Sequence, residues 1–118
     1  MRMKRGRLPL TALRSFEAAG RHLSFSKAAE ELFVSQAAIS RQIRELETFL
    51  RQPLFERHHR RVELTDTGRR LLDQLVRSFD AIDRLLGELV AAPATEPVNR
   101  LWRQGALPGY GARKLRWR

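Results

Sequence analysis

Gln36, Ala37, Ser40, Arg41 and Arg44 fall within one short stretch, and no acid stands between Ser35 and Arg44. An amide, a methyl, a hydroxyl and two guanidiniums supply paired donors and acceptors, a small apolar contact and fixed positive charge. These are the groups that meet base edges and phosphates in a nucleic-acid groove. Arg57, Arg60 and Arg61, with His58 and His59, form a second cationic cluster suited to phosphate. Other chemistry is poorly supplied. The chain has no Cys, which removes disulfides, thiolate zinc sites and cysteine nucleophiles together. His58 and His59 are adjacent and lack a third ligand at metal spacing, so they read as solvated or phosphate-facing residues. Asp80 and Asp83 occupy the polar side of a helical pattern and read as solvated surface. With no glycine-rich phosphate loop and no Ser/His/Asp arrangement, the expectation is a non-enzyme without metal or cofactor.

The elements that must hold these residues follow from apolar spacing. Leu10, Leu13 and Phe16 mark a first helix that should end near Gly20 or Arg21. Ser24 is a good N-cap for a second, with Phe25, Ala28, Ala29 and Leu32 on one face. Ser35 can cap a third helix from Gln36 to about Arg51, buried through Ile39, Ile43, Leu46 and Leu50. At about 100° per residue, Ala37, Ser40, Arg41 and Arg44 lie nearly opposite that stripe. Pro53 ends it. Leu54-Phe55-Glu56-Arg57 and Val62-Glu63-Leu64 then read as two short strands around His58-His59-Arg60-Arg61, a hairpin too small to stand without the helices. Thr65 can cap a last helix from Asp66 to about Ala91. Its Leu72, Leu75, Phe79, Ile82, Leu86 and Leu89 are spaced alternately by three and four, a heptad seam that predicts dimerisation. Leu71, Leu85 and Val90 widen the seam beyond what one small domain covers.

A short helix, a tight turn and a second helix with a cationic face meet the physical requirement for entering the major groove. An ordinary helical hairpin with a solvated polar face fits the same spacing. The cationic hairpin that follows favours the DNA reading, since a wing beside a recognition helix reaches flanking phosphates or the minor groove. Net charge does not decide between them. The 118 residues carry +10, but Arg2, Lys4, Arg5 and Arg7 with Arg100, Arg103, Arg113, Lys114, Arg116 and Arg118 account for the whole excess, so residues 8–98 are formally neutral. The longest apolar run, Leu89 to Ala94, is far short of the roughly 18 residues of a membrane span, and the basic start precedes no secretory apolar region. All six Phe precede residue 92, whereas both Trp and the single Tyr follow it. Ala91-Ala92-Pro93-Ala94-Thr95-Glu96-Pro97 reads as a linker.

Leu8-Pro9-Leu10-Thr11-Ala12-Leu13-Arg14-Ser15-Phe16, His22-Leu23-Ser24-Phe25-Ser26-Lys27-Ala28-Ala29-Glu30-Glu31-Leu32, Val34-Ser35-Gln36-Ala37-Ala38-Ile39-Ser40-Arg41-Gln42-Ile43, Leu54-Phe55-Glu56-Arg57 and Leu64-Thr65-Asp66-Thr67-Gly68 stand in unbroken order. Together they resemble the N-terminal domain of LysR-type transcriptional regulators, most nearly the glycine-cleavage activator branch, although many relatives have proline where Ala37 stands. The resemblance implies a mainly α fold: a winged helix-turn-helix of three helices plus a two-stranded wing, followed by a long dimerisation helix. The resemblance places a DNA-binding domain over residues 8–65 and a dimerisation helix over 66–91, while charge and composition make residues 1–7 a basic arm and 92–118 a disordered basic tail. The resemblance assigns DNA contacts to Ser24 and Ser26 on the second helix and to Ser35, Gln36, Ala37, Ser40, Arg41 and Arg44 on the third. Arg57, Arg60 and Arg61 complete them on the wing. The partners implied are double-stranded promoter DNA in a bacterial cytoplasm and a second copy through the long helix, or a full-length relative in a heterodimer, with no membrane. The family's effector-binding domain has no counterpart after Ala91, so the expectation is a truncated regulator that senses no small-molecule effector. The rivals are a dominant partner of a full-length relative and a nonspecific polybasic binder of nucleic acid.

Overall fold

The computed structural model describes residues 5–92. The expectations for residues 1–4 of the basic arm and 93–118 of the tail lie outside these. After one 3-10 turn at Arg5–Arg7 come α1 (Leu10–His22), α2 (Phe25–Leu32), α3 (Gln36–Leu50), β1 (Phe55–His58), β2 (Arg61–Leu64) and α4 (Asp66–Ala91). The strands pair antiparallel, Phe55 opposite Leu64 and His58 opposite Arg61, which leaves His59 and Arg60 as the tip. Toward the tip each strand runs one residue further than the sequence suggests, with Arg60 closing the turn in the left-handed region at φ 68°, whereas β1 begins at Phe55 and not at the expected Leu54. The chain divides into two units, Met1–Asp83 and Arg84–Arg118, the second contributing the last turns of α4 and Ala92 to the described residues.

The helix starts are built as the sequence reads. Ser24 and Ser35 lie in extended backbone, and their hydroxyls accept from the N–H groups of Lys27 at 3.2 Å and Ala38 at 3.1 Å. Thr65 does more than cap. Its hydroxyl accepts from Gly68 N–H at 3.0 Å and donates to the Pro53 carbonyl at 2.8 Å, while its own N–H reaches the Leu54 carbonyl at 3.0 Å. The ends of α2, α3 and α4 fall within a residue of where the sequence puts them, and α1 runs one or two residues past its expected end. Leu23, Phe33 and Arg51 close α1, α2 and α3 in the left-handed region without a glycine among them. Gly20 does not end α1; it lies inside it, where an added Cβ would come within 3.0 Å of the Leu72 methyls on α4.

The core of the first unit joins all these elements. Phe16, Ile39, Ile43 and Leu54 are fully buried, and Phe55 stacks at an angle on Phe16 at 5.4 Å and edge-on to Phe25 at 5.3 Å. These rings fasten a hairpin that could not hold its shape alone. Leu75 is buried in the same core, with Leu72 and Phe79 partly buried against it. The first half of the heptad pattern thus packs within its own unit. Ser15, buried on α1, bonds Gln42 of α3 and sets the roll of that helix.

A second clasp joins α1 to α2. Arg21 reaches Glu17 at 2.6 Å and Glu31 at 2.5 Å, and His22 meets Glu31 at 2.8 Å. Hydrogen bonds from Arg21 and then His22 hold the Glu31 carboxyl below its ordinary pKa. A depressed carboxyl stabilises the fold above its unfolded pKa of about 4.3 and loses that contribution as pH falls through the lower folded value. Because Glu31 is exposed by more than a third, the effect is modest. Melting temperatures of the native chain and Glu31→Gln should differ at pH 7 and converge once the pH has fallen through the depressed Glu31 pKa. A gap that persists in acid would show that the carboxylate is not its source.

Candidate nucleic-acid interface

A hollow of about 250 Å³ lies between the starts of α2 and α3 and the wing tip. Ser24, Ser26, Gln36, Arg60 and Arg61 all line it, with His58, Phe25 and Val62 beside them. Residues far apart in sequence therefore share one concave, cationic surface. Gln36 and Ala37 are exposed on the first turn of α3, past the Ser35 cap. Farther along, Ser40 accepts from the Arg44 guanidinium at 3.3 Å, and Arg41 stands 3.9 Å from Glu45. Arg41 and Arg44 do not line that hollow. They border a second one of about 430 Å³ with Glu45, Thr48 and Phe49.

Arg57 belongs to neither. Its guanidinium carbon lies 5.4 Å from the centroid of the Phe25 ring, and an Nη is 3.7 Å from Glu47. Arg61 is 3.5 Å from Glu63, a loose exposed pair that a phosphate could displace. A larger hollow of about 660 Å³, between the outer face of the wing and the start of α4, is lined by Glu56, Glu63 and Asp66 with Arg69. Three carboxylates against one guanidinium repel phosphate there, so the cationic hollow is the face that suits nucleic acid.

The sequence profile of the lysR family of bacterial regulatory helix-turn-helix proteins matches residues 10–69. The chain belongs to the LysR family. It is 57% identical over 82 residues to the transcriptional activator AmpR of Providencia stuartii, covering 70% of this chain and 28% of that protein. It is 48% identical over 86 residues to the glycine cleavage system transcriptional activator of Escherichia coli K12, covering 73% and 28%. The chain thus spans under a third of the length of the curated relatives it matches. Among solved structures it is similar to the BenM DNA-binding domain in complex with catB site 1 DNA. That match has a TM-score of 0.63 and 31% identity, covering 72% of this chain and 98% of the other. Among the described residues, no helix is long and apolar enough to cross a membrane.

Three features of this LysR-family fold were not visible in linear spacing. The β register sets Glu63 opposite Glu56, and with His58 their ligand atoms converge within 4.8 Å, although all three are exposed and His58 lies beside both carboxylates. Phe25 is more than a core residue, since Arg57 rests on its ring. Glu47 accepts backbone bonds from the entry to β1, a role that no spacing in the sequence signals.

Proposed function

We propose that this chain is a DNA-binding transcriptional regulator, acting by binding rather than catalysis, that reads the major groove with the start of α3 and flanking DNA with the wing. The observation that carries this reading is the hollow in which Gln36 on α3, Ser24 and Ser26 on α2, and Arg60 and Arg61 on the wing face one space. Gln36 offers the bidentate amide that matches adenine, Ala37 the methyl that touches thymine, and Arg41 and Arg44 the charge for guanine or phosphate. Ser24 and Ser26 at the α2 N-terminus suit a backbone phosphate. The relatives with similar sequence carry activator names, and the BenM domain of similar fold was solved on DNA, which supports the assignment. A dimer through α4 in the cytoplasm, on promoter DNA with two half-sites, completes the proposal.

The test separates base reading from phosphate attraction. In competition binding on a selected site and its scrambled counterpart, Gln36→Ala should lose about 1 to 3 kcal/mol of discrimination. Arg60→Ala with Arg61→Ala should weaken both DNAs alike and lower the salt slope by about one unit per phosphate contact. Equal loss on both DNAs for Gln36→Ala would remove the base-reading role. A slope unchanged by the wing substitutions would remove the wing's role.

A further inference from the structure

The wing is fastened to the recognition helix through one carboxylate. Glu47 lies near the end of α3, about 20° round the helix from both Gln36 and Ser40, so it shares their flank. Its Oε2 accepts from the backbone N–H of Leu54 at 2.8 Å and of Phe55 at 3.3 Å, and its Oε1 stands 3.7 Å from Arg57. The side chain is 18% exposed, which strengthens charge-assisted bonds relative to water. Leu54 is fully buried, and its carbonyl is taken by Thr65 N–H. The entry to β1 is therefore gripped from α3 on one side and from α4 on the other. At the far end of the same link, Arg57 lies over Phe25 of α2. A chain of Glu47, Arg57 and Phe25 thus spans α3, β1 and α2, beside the hollow.

We propose that Glu47 is the positioning residue that fixes the wing against the recognition helix, so that Arg60 and Arg61 meet phosphates only when α3 is seated. This rests on the reading of α3 and the wing as the DNA-contacting pair. Without Glu47 two backbone donors lose their acceptor, and the wing tip is no longer held at one distance from Gln36. The residues of α3 that face the groove keep their places, because Ser15–Gln42 and the Ile39, Ile43 and Leu46 stripe hold that helix.

A double-mutant cycle on the full chain tests this, with DNA binding measured over a salt series and melting followed alongside. Glu47→Ala should bind about tenfold more weakly, with a salt slope close to that of the Arg60→Ala/Arg61→Ala variant. Added to that variant, it should cost less than about twofold more. The preference for a selected over a scrambled site should stay within about threefold of native. Glu47→Gln, which keeps an oxygen for Leu54 N–H, should recover most of the slope relative to alanine. If Glu47→Ala does not fold, Glu47→Asp, one methylene short of that N–H, carries the same expectations. Fully additive losses, or a native slope in Glu47→Ala, would overturn the proposal. If the wing-arginine variant itself shows a native slope, the failure lies in the DNA role of the wing and not in Glu47.

Discussion

Gly68→Ala should lower the melting temperature of the domain by about 15 °C or more. A Cβ at this position would stand 2.1 Å from the Leu54 carbonyl oxygen, inside any permissible contact, and 3.1 Å from its carbon. The carbonyl has nowhere to go. Leu54 is fully buried, and its oxygen already accepts from Thr65 N–H at 3.0 Å. Relief requires α4 to lift off the entry to the wing, breaking the Thr65 bonds to Pro53 and Leu54 as it does so. A backbone clash coupled to lost hydrogen bonds belongs to the severe class, about 3 to 5 kcal/mol. At about 4 to 8 °C per kcal/mol for a domain of this size, that gives the stated shift. Gly87→Ala is the matched control, because its Cβ meets nothing within 4 Å on the same helix. It should raise stability by up to about 1 kcal/mol through helix propensity. Circular dichroism melts of both variants decide the matter, and equal behaviour would contradict the close approach at Gly68.

Leu86→Asp should convert dimers to monomers and cut affinity for a two-half-site operator by about two orders of magnitude, since each half-site then binds alone. Along α4, Leu75 is buried and Leu72 and Phe79 are partly buried within their own unit, whereas Ile82, Leu85, Leu86 and Leu89 are each more than half exposed and Val90 is 86% exposed. Five large apolar side chains exposed over about two and a half helical turns suit the proposed second copy. An unpaired carboxylate at Leu86 would have to be desolvated there at a cost of several kcal/mol. Sedimentation at micromolar concentration should show native dimers and mutant monomers, with native melting behaviour for the first unit. Leu72→Asp should instead lower the melting temperature, because Leu72 packs against the core and Gly20. A native chain that sediments as a monomer, or a Leu86→Asp chain that stays dimeric, would contradict the dimer.

The parts of the fold legible in sequence were those with local causes. Ser24, Ser35 and Thr65 bond N–H groups three residues away, so a cap is written in adjacent letters. The cationic face of α3 was legible for the same reason, because helical periodicity is local. The end of α1 was hidden because Leu23 adopts the left-handed conformation that glycine usually signals, at about 1 kcal/mol or more. Gly20 looked like such a signal and proved to be a packing residue whose reason, Leu72, lies on another helix. The seam on α4 could not be divided in advance. Leu72 and Ile82 carry the same pattern, and only the tertiary fold shows that one faces α1 and the other water. Glu47 and the convergence of Glu56, His58 and Glu63 depend on strand register and wing placement, which no local pattern encodes.

The most direct measurement is the affinity of the full chain for a duplex selected from a random pool and for its scrambled counterpart, followed from low to physiological salt. A regulator that reads bases through Gln36 and its neighbours should prefer the selected site by about a thousandfold or more, and the preference should survive as salt weakens both. Affinities that stay within a few-fold of each other and fall together with salt would identify a polybasic binder, and would contradict the account of α3 as a reading head.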